Sequence, residues 1–199
     1  MLEALTGLGL ASAAGLNAYI PMLAMGLLSR FTDLLSVPPG WAWLENEWVM
    51  VILGVLLVID MVADKIPAVD SVNDIIQTVV RPASGGIVFG SGSASETVAV
   101  TDPESFVSSG QWVPIVTGIV IALLVHLAKA AIRPIANAAT FGLAAPVLST
   151  VEDGASIVLV VLAIVVPVLV VLALAGLIVL AIVFVRRRRR ASATSPRPA

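Results

Sequence analysis

The chain has 199 residues, 59% of them hydrophobic and 12% charged, with a mean hydropathy of +1.06 and a formal net charge of −2. A soluble domain carries roughly 25% charged residues, so the composition is that of an integral membrane protein. The charge balance excludes an extended nucleic-acid interface, and the absence of cysteine excludes disulfides, thiolate metal sites and thiol nucleophiles.

Six hydrophobic segments follow in chain order. The opening "MLEALTGLGLASAAG" lacks the basic region of a cleavable signal, its only early charge being Glu3, so the first segment, Leu5 to Leu28, is expected to stay and span. Gly15, Asn17 and Pro21 interrupt it. The second segment runs from Trp48 to about Ala63. The third, residues 72–89, is weak and broken by "RPASGG". The fourth runs from Trp112 to about Ala131, and a short fifth, Pro134 to Leu148, contains Pro134, Gly142 and Pro146. Whether the third and fifth cross fully or re-enter is open at this point. The sixth, Ser156 to Val185, would reach ~45 Å as one helix against a ~30 Å hydrocarbon core, so a tilt, a projection or a kink at Pro167 is expected. The fold class is all-α: a polytopic transmembrane helix bundle of about six segments, some broken or re-entrant, in one domain over residues 1–185.

Basic residues set the orientation. "RRRRR" at 186–190 ends the sixth segment and is expected on the cytoplasmic side, in a basic, disordered tail over 186–199. Six crossings then put Lys65, Lys129 and Arg133 on the same side, with both termini cytoplasmic. The outer connections, 29–47 and 90–111, hold Asp33, Glu45, Glu47, Glu96, Asp102 and Glu104 but a single basic residue, Arg30. Trp41, Trp43, Trp48 and Trp112 fall at that outer boundary, where indole rings favour the headgroup layer. "GSGSASE" at 90–96 reads as a flexible loop. A weak internal repeat at an offset of 64 pairs Trp48 and Val49 with Trp112 and Val113, Gly54 with Gly118, Lys65 with Lys129, Asn73 with Asn137 and Pro82 with Pro146; it reads either as a parallel duplication or as shared membrane composition.

The few charges concentrate in "VIDMVADKIPAVDSVND", residues 58–74. On a helix Asp60 and Asp64 share a face, as do Asp70 and Asp74, with a turn at Pro67 folding the pairs together. One reading is a solvated loop at the membrane edge, which suits Lys65. Against it, Asp60 lies inside the hydrocarbon zone, where an aspartate costs ~2.5–3.5 kcal/mol and calls for a partner. Those partners are on the fourth segment: His126, Lys129 and Arg133 form one polar stripe that Asn137 would extend past Pro134. The alternative is that Lys129 and Arg133 snorkel to the interface while His126 is hydrogen-bonded within the bundle. Three further motifs are read as span breaks: "GLNAYIP" with Asn17 and Tyr19, "TVVRPASGG" with Arg81, and "APVLSTVEDGAS" with Glu152 and Asp153. Broken backbone at membrane depth needs protein or a water-filled cavity to satisfy it, so a central polar cavity is expected.

The motifs "GLNAY-P", "DKIP-VD---D---T--RP", "H--KA--R---N" and "S--ED", in this order over roughly residues 3–185, resemble a bacterial integral-membrane family defined only as a domain of unknown function (DUF4126). The resemblance implies a membrane-embedded polar core and a bacterial cytoplasmic membrane location. It implies no activity.

The candidate substrate- or ion-binding set is Asn17, Tyr19, Asp60, Asp64, Lys65, Asp70, Asp74, Arg81, His126, Lys129, Arg133, Asn137, Glu152 and Asp153. Acidic and basic groups are near balance, with His126 expected to be able to titrate near neutrality. The leading reading is a small transporter or permease whose acidic pairs bind a proton or cation. A second is a protein that binds or moves anionic lipid, drawn by the basic stripe and the arginine run. A third is a membrane enzyme with a divalent metal on the aspartates, and a fourth a structural partner. No P-loop or HExxH motif is present and no cofactor is expected. The expected partners are the lipid bilayer and a small ion or anionic lipid; a homo-oligomer is compatible with the sequence.

Overall fold

A computed structural model describes residues 2–92, 110–140 and 143–193. Among these residues every regular element is helical: α1 (Leu2–Leu16), α2 (Tyr19–Phe31), a 3₁₀ helix (Pro39–Glu45), α3 (Glu47–Ala63), α4 (Pro67–Gly92), α5 (Trp112–Thr140), α6 (Ala144–Val165) and α7 (Val168–Ala193). Two described helices, α5 and α6, are long and apolar enough to cross a membrane, and the 3₁₀ helix with α3, bent by 63° at their junction, makes a third where the pair is counted as one span. Glu96, Asp102, Glu104 and Gly142 lie outside the described residues; of "GSGSASE", residues 90–92 end α4 as helix rather than forming a flexible loop, and 93–96 lie outside the described residues.

The helices are turned inside out relative to a soluble bundle. Along α3, Val51, Ile52, Val55, Val58, Ile59 and Val62 are 54–60% exposed. The opposite stripe, Met50, Leu53 and Asp60, is buried. An apolar outer face around a polar interior is what hydrocarbon surroundings demand. Asn46 caps α3, accepting from the Trp48 N–H at 2.9 Å.

The first segment is not one crossing. Asn17 and Ala18 break it, and α1 and α2 fold back as an antiparallel hairpin. On the descending arm the Thr6 hydroxyl donates to the Ala163 carbonyl (2.9 Å) and Ser156 donates to Ala13 (3.1 Å). On the returning arm Ser84 donates to Ala18 (2.6 Å), and Ser91 contacts the Met25 sulfur (3.4 Å). Residues 84–91 of α4 therefore run alongside 18–25. Five helices, α3 to α7, then separate Leu2 from Ala193, so the two ends lie at opposite ends of the bundle. The six-segment expectation counted this hairpin as a single segment; the structure divides it into two short apolar helices.

Three other expectations are corrected. "RPASGG" does not break α4: the helix continues through Pro82, and its glycines meet α5 instead. A Cβ on Gly85 would lie 2.6 Å from the Gly118 carbonyl oxygen, so only glycine allows this approach. Among the described residues the expected fifth segment is divided between two helices. α5 runs through Pro134 to Thr140, and Pro146 belongs to the first turn of α6. "APVLSTVEDGAS" is likewise helical within α6. The break at Pro167 is present, dividing α6 from α7. α7 extends through Ala193, so the described part of the expected tail, 186–193, is helix.

α3 and α5 begin at the same end beside Trp48 and Trp112 and run the same way. They then diverge, because α3 stops at Ala63 while α5 continues to Thr140. Arg30, the basic residue of the outer connection, pairs with Glu47 and donates to the Glu45 carbonyl (2.7 Å).

Candidate functional site

Each helix delivers its polar stripe by three- and four-residue spacing. α3 carries Asp60 about 20 Å from its outer end, two-thirds of the way through a hydrocarbon core. Asp64 caps the same helix. α4 brings Asp70, Gln77, Arg81 and Ser84 inward, with Val72, Ile75 and Val79 on the opposite face. α5 contributes His126, Lys129 and Arg133, and α6 contributes Ser149, Asp153 and Ser156, all of them buried.

Asp64 is the hub. Its Oδ2 lies 3.0 Å from Arg133 Nη2, 3.1 Å from Lys129 Nζ and 3.5 Å from Arg81 Nη2, while Oδ1 accepts from Asn73 at 2.9 Å. Arg133 reaches Glu152 (2.5 Å) and pairs with Asp70; Lys129 reaches Glu152 (3.1 Å). Asp64 and the three cations are no more than 5% exposed. Charges this deep persist only when pairing and hydrogen bonding offset their desolvation, and here each cation has at least two carboxylates within 4 Å.

Asp60 sits in a different environment. Neutral amides surround it: Asn73 and Gln77 donate to Oδ1 at 2.7 Å each, and Asn17 donates to Oδ2 at 3.3 Å. Its nearest cation is Arg81 at 3.9 Å. Asn17, at the tip of the hairpin, has no exposed surface. Its Oδ1 accepts from the Tyr19 and Ile20 N–H groups (3.0 and 3.3 Å), capping α2, and its Nδ2 also donates to Asp153 (2.9 Å). Lys129 donates to the Leu16 carbonyl at 3.2 Å. Both helix ends at the break thus meet charge of the complementary sign: an ammonium at the α1 carbonyls and carboxylates near the α2 N–H groups. His126 receives Arg81 Nη1 on Nδ1 (3.3 Å), which leaves the proton on Nε2 to be donated to Thr78 Oγ1 (3.0 Å).

Of the sequence-predicted set, Asn17, Tyr19, Asp60, Asp64, Asp70, Arg81, His126, Lys129, Arg133, Glu152 and Asp153 come together. Tyr19 enters through Gln77, at 3.5 Å from its hydroxyl. Asp74 joins at the edge, one of its oxygens lying within 4.8 Å of oxygens of Asp64 and Asp70. Lys65 does not join: its ammonium turns back to the Met61 carbonyl (2.9 Å), as a snorkelling lysine does. Asn137 lies one turn beyond Arg133, and its buried Oδ1 has no hydrogen-bond partner. Asn73, Gln77, Thr78 and Ser84 escaped the sequence reading. The α4 stripe 70, 73/74, 77/78, 81, 84 would have found them. The Asp64–Asp70–Asp74 group is the natural seat for the metal reading, but Asp64 and Asp70 are both engaged by Arg133, which competes for the same oxygens.

In all, six carboxyl groups (Asp60, Asp64, Asp70, Asp74, Glu152 and Asp153) surround three cations, Arg81, Lys129 and Arg133. The near balance expected from the sequence is lost because Lys65 points away. Comparison with curated proteins and with solved structures finds no match. The model of the domain of unknown function DUF4126 matches residues 4–187, nearly the whole chain, and the protein therefore belongs to that family.

Proposed function

We propose that the protein is a small multi-pass transporter or permease of the cytoplasmic membrane. The observation that carries this reading is the surplus of buried carboxyl groups over buried cations at the tip of a re-entrant hairpin. Buried negative charge without a fixed partner must be balanced by a proton or a mobile cation. The hairpin tip is held by the same polar contacts that such an ion would alter. Discontinuous helices whose free ends face ionic groups at membrane depth are how transporters build ion and substrate sites. With the arginine run on the cytoplasmic side, the N-terminus and the tryptophan-bearing end face outward.

The test is flux of protons, sodium and small anions into proteoliposomes. Wild-type protein should exceed empty liposomes for at least one of them, and Asp64→Asn and Lys129→Ala should fall to background. Unchanged flux in both variants would remove these roles.

The anionic-lipid reading has one observation in its favour. An apolar groove of about 380 Å³ between α1, α5, α6 and α7 is lined by residues such as Leu8, Leu124 and Ile178 and reaches Lys129 and Glu152. Acyl chains fit such a wall and a headgroup phosphate suits the ammonium. Anionic lipid retained through purification, with all three fluxes at background, would favour this reading over transport.

A further inference from the structure

Two acidic groups of the interior, Asp153 and the half-buried Asp74, have no cation within 4 Å among the described residues, and Asp153 is the more deeply buried of the two. Asp60, Asp64, Asp70 and Glu152 each have a cation within 4 Å. Asp153, 5% exposed and near the middle of α6, has none among the described residues. Its Oδ1 accepts from the neutral amide of Asn17 (2.9 Å), and its Oδ2 is buried with no partner. One turn earlier on the same helix face, the Ser149 hydroxyl is fully buried and also has no partner. Two orphaned oxygens one turn apart on an apolar helix are a standing cost unless something positive lies on them.

The groups facing this point supply no such charge. From the hairpin there is Asn17, which holds Asp60 with the same amide nitrogen. On α5, Lys129 and Arg133 are committed to Asp64 and Glu152. On α2, Tyr19 is engaged by Gln77. α7 has no ionisable residue over 168–185.

We infer that Asp153, with Ser149 beside it and Asn17 across from it, is the site at which a single monovalent cation, a proton or a sodium ion, is taken up and released. The inference rests on the transport reading and deepens it. Asn17 links the event to the rest of the molecule. With Asp153 neutralised, the Asn17 amide has one strong acceptor, Asp60. With Asp153 ionised it is drawn to both, at the tip that joins α1 to α2.

The test uses the full chain in detergent and dicyclohexylcarbodiimide, which reacts with protonated carboxyls in apolar surroundings, with the modified residue located by peptide mass mapping. Asp153 should be labelled, more strongly as pH falls. Suppression by sodium at fixed pH assigns the site to sodium, and pH dependence without sodium protection assigns it to the proton. Asp153→Asn mimics the neutralised state and should leave the melting temperature unchanged or raised. No labelling of Asp153 at any pH, or a melting temperature lowered as far as by Asp64→Asn, overturns the inference. Labelling in a protein whose flux stays at background leaves the cation site standing and removes transport; flux above background without labelling removes the site alone.

Discussion

Asp64→Asn should lower the stability of the folded protein by about 3–5 kcal/mol, the range for removing one partner of a buried ion pair. The substitution keeps shape and volume, so the loss is electrostatic. It is distributed unevenly. Lys129 keeps Glu152, and Arg133 keeps Glu152 and Asp70. Arg81, with no exposed surface, is left with Asp60, at 3.9 Å, as its one carboxylate beside the neutral His126, and Asp60 already accepts from Asn17, Asn73 and Gln77. The expected result is a large fall in melting temperature in detergent, read by fluorescence-detected size exclusion after heating. A variant that melts with the wild type would mean these cations do not depend on Asp64.

Asn17→Ala should cost about 2–4 kcal/mol, combining loss of a helix cap with loss of buried hydrogen bonds. One side chain donates to two carboxylates on different helices and accepts from two backbone N–H groups at the start of α2. Alanine would leave all of these without that partner at a place water does not reach. The same melting measurement checks it, and Asn17→Asp should not rescue, because a third carboxylate beside Asp60 and Asp153 adds repulsion. Recovery with aspartate would mean that only the cap matters.

The ionic stripes were legible in the sequence because helical spacing alone puts Asp60 with Asp64, and Lys129 with His126 and Arg133, on shared faces. An aspartate eleven residues into an apolar run also signalled an interior partner. The hairpin was not legible. Asn17 and Pro21 mark a break, but a kinked crossing and a re-entrant turn share those marks, and only contacts such as Ser91 with Met25 tell them apart. Pro82 and Pro134 misled in the other direction, since tertiary packing carries both helices past them. For α4 the tight glycine contact with α5 explains the persistence. Asn73 and Gln77 were missed because α4 was judged by its low average hydropathy, not by the period of its polar positions.

The most direct measurement is a double-mutant cycle between Asp64→Asn on α3 and Lys129→Gln on α5, whose charged atoms are 3.1 Å apart across 65 residues of sequence. If the acidic and basic stripes meet inside the bundle, the two losses will overlap, with a coupling of more than about 1 kcal/mol. Losses that simply add, within about 0.5 kcal/mol, would place the two charges in separate surroundings and contradict the buried network.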